Sequence, residues 1–351
     1  MKVGLIDVDS HNYPNLCLMK ISAYFKARGA EVEFCKPGGF YDRVYISKIF
    51  TESKEPDIQY TAAEVFRGGS GYDLENKLTH DIEHTYPDYG LYPELTKDTA
   101  FGWLTRGCPR LNHAQSRGGF CITPDKDGCK SIKVADLKEF WDGQKNIMLY
   151  DQNLLACKDR LELLRQLAES KAQVTFDGGM DIRYFTPEIE EALREIKVKD
   201  YHFAWDDPKE KLEQKFQYFK ETGLKSPDKT SVYVLVNFWS TTEEDLMRVY
   251  TLREMGFIPY IMVYDKQKFV DKKGRWLPGV ERKYSRQQLE HFKICHHMQR
   301  WCNSKRVIKL SPNFRDYEPL RIWEERGKPV PLLSQLSIFD FIGQEDKKCD
   351  Q

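Results

Sequence analysis

The sequence has no run of about 18 apolar residues, so no segment reads as a membrane-spanning helix. Its opening, MKVGLIDVDSHNYPN, carries an acid by Asp7 and no basic stretch ahead of a long apolar one. It does not read as a signal peptide, and a cytoplasmic protein with no membrane partner is the expectation. Charge of one sign is not in excess. The 54 Lys and Arg balance 54 Asp and Glu, which removes a global basic field for nucleic acid and leaves only local patches. Nine cysteines are an odd number and fit a reducing compartment better than a disulfide framework. With 40% apolar and 13% aromatic residues, the 351-residue chain can bury one large core or two medium ones.

The first 75 residues read as a small α/β unit. Val3–Val8 is a nearly continuous apolar run, as suits a strand buried on both faces. A helix with Leu16, Met19, Ala23 and Phe25 on its apolar stripe follows and ends at Gly29. Further strands are expected at Glu31–Cys35, Arg43–Ile49 and Glu64–Arg67, the last running into Gly68-Gly69-Ser70-Gly71. Strand, helix and strand at this spacing predict a Rossmann-like parallel sheet. The glycine turn either holds a phosphate or only bends the backbone; it lacks the G-x-G-x-x-G order with a helix after it. Residues 76–98, with Pro87 and Pro93, read as a linker.

From residue 99 strands and helices alternate. Strands are expected at Phe101–Thr105, Asn146–Tyr150, Gln173–Phe176, Tyr201–Ala204, Ser231–Val236 and Tyr260–Tyr264. Helices are expected at Lys158–Ser170, Pro187–Ile196, Pro208–Gly223 and Thr242–Gly256. Six such units over residues 99–270 predict a partial (β/α)6 TIM-type barrel, and the chain as a whole an α/β protein with a Rossmann-like sheet ahead of it. Polar residues recur just after the strands: Asp151 and Asn153, Asp177 to Gly179, Asp206, Asn237 and Asp265. Carboxyl ends of barrel strands carry active sites, although Asp, Asn and Gly also simply make turns and caps. Residues 271–351 read as a helical extension, with a helix over 285–301, and a tail. The apolar stretch Leu332–Ile342 is expected to dock on the barrel or on a partner, and the last eight residues to fray.

Between Thr105 and Cys129 lies a Gly-, Pro- and Arg-rich loop holding Cys108, His113, Cys121 and Cys129. Thiolates are the usual ligands of zinc and of iron–sulfur clusters. Four donors would close a zinc site, but there is no C-x-x-C knuckle; three thiolates on a four-iron cluster would leave one iron open.

Thr105-Arg-Gly-Cys108-Pro-Arg and Phe120-Cys121, on a loop after a first barrel strand, resemble the opening and close of the cysteine motif of the radical SAM superfamily. The resemblance covers roughly residues 99–270, and the first 95 residues resemble the Rossmann-like domain of its cobalamin-binding branch. It implies an enzyme that reductively cleaves S-adenosylmethionine at a 4Fe–4S cluster to start radical chemistry, fed by a donor such as flavodoxin or ferredoxin. It implies Cys108 and Cys121 as cluster ligands. The family's middle cysteine is missing here, so the third ligand is expected to be Cys129, with His113 as the alternative. It also implies S-adenosylmethionine contacts from Phe120, Asp151, Asn153, Gly178, Gly179, Asp181, Arg183, His202, Asp206 and Asn237, although an ion pair of Arg183 with Asp181 or Glu188 is the competing reading. No residue is singled out as catalytic. Asp7-Val-Asp-Ser-His11 does not match the Asp-x-His-x-x-Gly pattern, so a packed accessory domain is expected rather than a cobalamin site. The other reading is a non-catalytic zinc-binding or scaffold protein on a degenerate barrel.

Overall fold

The computed structural model describes residues 1–317; the expectations for Leu332–Ile342 and the last eight residues lie outside the described residues. Contacts divide the chain into two compact units: residues 1–180 with 186–199, and residues 181–185 with 200 onward.

The first unit begins with a fully parallel sheet in the order β2-β1-β3-β4 (β1 Lys2–Asp7, β2 Glu31–Phe34, β3 Gly39–Ser47, β4 Tyr60–Gly68). β1 is central and buried on both faces, as its apolar run requires. Helices of eight or more residues are numbered here. α1 (Leu16–Lys26) lays Leu18, Ile21 and Phe25 against Val3 and Leu5 of β1. Its spacing of three and four residues puts these side chains on one stripe. Burying each contributes about 1.5–3 kcal/mol, so Ile21→Asp would strip the contact that fixes the helix to the sheet. Asn15 caps α1 by accepting from the Leu18 amide, while its Nδ2 donates to Ser10 and Ser47. The chain passes from β2 to β3 close over Gly4, where a Cβ would meet Cys35 Sγ at 2.5 Å. β3 ends two residues before the expected Ile49, because the Ile49 and Phe50 amides turn to donate to the Asp9 carboxylate.

A second parallel sheet of the same unit has the order β10-β9-β8-β5 (β5 Thr99–Gly102, β8 Asn146–Leu149, β9 Gln173–Phe176, β10 Lys197–Val198). The short strands β6 (Thr105–Arg106) and β7 (Ile132–Lys133) pair with each other instead. α2 (Arg160–Ser170) buries Leu163, Leu164 and Leu167, and α3 (Pro187–Arg194) buries Ile189 and Leu193. β5 stops at Gly102 rather than continuing to Thr105. Gly102 lies under the Phe140 ring, which a Cβ would meet at 2.4 Å, and the next amides turn away to a side-chain acceptor.

The second unit holds a three-stranded parallel sheet in the order β11-β12-β13 (β11 Tyr201–Ala204, β12 Thr230–Val236, β13 Ile258–Val263). With it come α4 (Glu213–Thr222), α5 (Thr242–Glu254) and α6 (Arg286–Cys302). Its core is aromatic, with Trp205, Phe216 and Phe219 fully buried and Phe216 5.5 Å from Phe257. α5 starts with a capping box between Thr241 and Glu244, and α6 with one between Ser285 and Gln288. The six expected strands after residue 99 are all present and parallel, but among the described residues they are distributed over two sheets, and no closed barrel is formed. No helix among the described residues is long and apolar enough to cross a membrane.

Candidate functional site: the cysteine loop

Residues 107–131 leave the sheet through a narrow neck. Thr105 and Arg106 pair antiparallel with Lys133 and Ile132, closing the loop at its base. The neck is tied to the carboxyl end of the adjacent strand by Asp151. Its carboxylate accepts from the Leu104 amide at 3.1 Å, from the Thr105 amide at 2.5 Å and from the Thr105 hydroxyl at 2.6 Å. Asp151 is only 3% exposed. Burial pushes its carboxyl up to about 6, against the pull of the Thr105 and Leu104 hydrogen bonds. The side chain that the resemblance assigns to S-adenosylmethionine thus holds the entrance of the loop.

Two glycines make the close approaches around this neck. Gly107 has φ +89°, and a Cβ there would stand 2.2 Å from the Lys130 carbonyl. The next amide, that of Cys108, donates to the Gly128 carbonyl, so the two ends of the loop touch beside the first cysteine. Gly178, after β9, approaches the Asp151 carbonyl so closely that a Cβ would sit 2.2 Å from it. Gly179 follows with φ +75°, its amide closing a turn on the Phe176 carbonyl.

The three loop thiols have different surroundings. Cys108 is buried, and Asn153 donates to its sulfur at 3.5 Å. Cys121 is half-buried; its amide donates to the His113 carbonyl and its own carbonyl accepts from Gln115. Cys129 is exposed. His113 is buried at 2% exposure, with its ring 4.8 Å from that of Phe120 and its Nε2 3.2 Å from Arg110. Arg106 lies over Trp103 and reaches Glu83 at 3.3 Å and Asp127 at 3.5 Å. Among the described residues, no three His, Cys, Asp or Glu side chains are gathered as a metal ion would require. The donor types suit a 4Fe–4S cluster, and holding one would require Cys108, Cys121 and a third donor to be drawn together.

The remaining expected contacts lie in the second unit. Arg183 forks onto Asp181, at 2.6 and 2.9 Å, and onto Glu210 at 3.3 Å. Asp181 also caps the Arg183 amide. His202 stacks on Tyr233, with centroids 6.0 Å apart, and its buried Nδ1 has no hydrogen-bond partner among the described residues. Asn237 adopts a left-handed φ of +64° at the end of β12, donating to the Tyr264 carbonyl. Asp206 follows β11, where its carbonyl accepts from Arg248.

Arg248 is the residue that reading the sequence missed. It is fully buried on α5 and donates to the carbonyls of Trp205, Asp206 and Leu235, joining the carboxyl ends of β11 and β12. It is paired with Asp245, whose carboxyl burial pushes up while Arg248 pulls it down. The signal was present: an arginine at i+3 from an aspartate, on the face of α5 that carries Leu246, Val249 and Leu252. Glu243, Glu244 and Asp245 instead read as a first-turn acidic cluster favoured by the helix dipole. No family model matches the chain, and no curated protein matches it.

Proposed function

We propose that the chain is a cytoplasmic enzyme of the radical SAM type, one that reductively cleaves S-adenosylmethionine at a 4Fe–4S cluster carried by the loop 107–131. The observation that carries this reading is where the loop stands. Three thiols sit on one loop that leaves the carboxyl end of β5, the first strand after residue 99, and its neck is held by Asp151 at the carboxyl end of β8. That is the edge of a parallel sheet where ligands and chemistry collect. The finer architecture belongs to the same proposal: a Rossmann-like first domain, and a partial (β/α)6 barrel to which β5, β8, β9, β11, β12 and β13 contribute. Cys108 and Cys121 are the first two ligands, and Cys129 or His113 the third. Phe120, Asp151, Asn153, Gly178 and Gly179, with Asp181, Arg183, His202, Asp206 and Asn237, are the proposed surroundings of S-adenosylmethionine. Flavodoxin or ferredoxin is the proposed class of electron donor, and cobalamin is not part of the proposal.

The second reading is a non-catalytic zinc-binding or scaffold protein, with Cys108, His113, Cys121 and Cys129 as the four donor types that a closed zinc site would need. Anaerobic reconstitution of the full chain separates the two. Uptake of four irons per chain, with 5′-deoxyadenosine released on reduction, supports the enzyme. One tightly held zinc and no iron uptake sinks it. Cys129→Ala and His113→Ala then assign the third ligand, because the variant that loses iron has lost a ligand.

A further inference from the structure

A cavity of about 980 Å3 lies in the first unit, at the carboxyl ends of β3 and β4. Open parallel sheets bind ligands at such ends, and this volume suits a ligand of nucleotide size. Leu18 and Ile21 of α1, Tyr45 of β3 and Phe66 of β4 supply an apolar lining. Phe66 lies flat on Tyr45, with centroids 5.0 Å apart and planes at 15°. Tyr45 is in turn packed against the Leu18 and Phe25 cluster, so Phe66 is a backed platform, yet it remains 41% exposed. The cysteine loop and its neck supply cations. Lys126 is half-buried and makes no salt bridge among the described residues. Arg106 reaches its two carboxylates only at 3.3 and 3.5 Å, long for charge-assisted bonds. The Gly68-Gly69-Ser70 turn forms another part of the lining; Gly69, at φ +98°, stands where a Cβ would meet the Lys48 carbonyl at 2.3 Å.

We propose that this cavity binds a flat aromatic ligand of nucleotide size that carries an anionic group. The ring stacks on Phe66, and the anion sits with Lys126 and Arg106. The platform gives a stacking face, and the Lys126 ammonium, which has no salt bridge among the described residues, gains a counter-charge. The proposal does not depend on a cluster in the loop, and its test is run on the full chain purified without iron.

The probe is anilinonaphthalene sulfonate, a flat aromatic anion that brightens in apolar surroundings. One saturable probe site per chain is expected. A nucleoside monophosphate displaces the probe at a concentration at least tenfold below that of the nucleoside or of inorganic phosphate. Phe66→Ser and Lys126→Glu each weaken the probe about tenfold. Phe40→Ser, at a 74% exposed site outside the lining, leaves it unchanged. Unsaturable uptake, an equal loss in Phe40→Ser, or displacement by hydroxocobalamin or a fatty acid below the nucleotide concentration overturns the proposal.

Discussion

Asp151 makes stability depend on pH in an unusual direction. Its carboxyl rises from 3.8 to about 6 in the folded chain, because burial penalises the charged form more than three hydrogen bonds favour it. Between those two values the native state holds a proton that the unfolded chain has shed. Stability therefore falls as pH rises through that window, and above about pH 6 the loss is complete. A shift of about two units corresponds to about 3 kcal/mol. Asp151→Asn supplies the reference. Asn keeps the shape and does not titrate, but its NH2 must face either the Leu104 amide or the Thr105 donors. That clash costs about 1–3 kcal/mol at every pH. The measurement is urea unfolding of both proteins from pH 4 to pH 7.5, together with amide exchange of Leu104 and Thr105. The wild type should lose about 2.4 kcal/mol relative to the variant across this range, a little less than the full shift because the unfolded carboxyl is already partly protonated at pH 4, other titrating groups cancelling in the difference. A flat difference would show that the carboxyl is unperturbed. A difference of opposite sign would show that the hydrogen bonds outweigh burial, and the account of the neck would be wrong.

Two further outcomes follow from the same interior. Gly107→Ala meets the Lys130 carbonyl in a left-handed backbone, so it should destabilise the chain by about 2–3 kcal/mol and raise the reactivity of Cys108 toward a thiol reagent, whereas Gly118→Ala, with φ +77° and open space around it, should cost about 1 kcal/mol. Arg248→Met removes this donor from three strand-end carbonyls and the guanidinium from the Asp245 carboxylate, which keeps the Ser240 hydroxyl, and thermal or urea unfolding should register a loss of about 3–5 kcal/mol; Arg248→Lys should recover less than half, since one ammonium cannot replace the fork.

Much of the fold was legible because period and propensity agree with burial. The apolar run from Val3 lies in the central strand β1, and Leu16, Met19 and Phe25 of the expected stripe are buried on α1, although Leu18 and Ile21, which that stripe left out, pack on β1 with Phe25. Strand ends were less legible, because side chains far along the chain decide them. β5 ends where Asp151, 47 residues from Leu104, captures the Leu104 amide, and β3 ends where Asp9 captures Ile49 and Phe50. The cysteine loop was visible by its composition, and Cys108 and Cys121 fall on it as expected. Their surroundings could not be read ahead, since Asn153 beside Cys108 and Phe120 beside His113 are set by tertiary packing. Arg183 shows the same limit: its partners are Asp181, which its neighbourhood offered, and Glu210, which 27 positions of chain concealed.

The five residues Asp181–Phe185 belong by contact to one unit and by chain to the stretch between two pieces of the other. Phe185 is fully buried among the rings of Tyr218 and Phe219, and Lys215 donates to its carbonyl. A gene cut after Lys199 would therefore not yield two clean modules. The downstream product would miss a plug of its own core, and the upstream product would display that plug to water. A split-protein design would need to graft Asp181–Phe185 back onto the downstream half, so this pentapeptide, rather than the 199/200 junction, governs where the polypeptide can be divided.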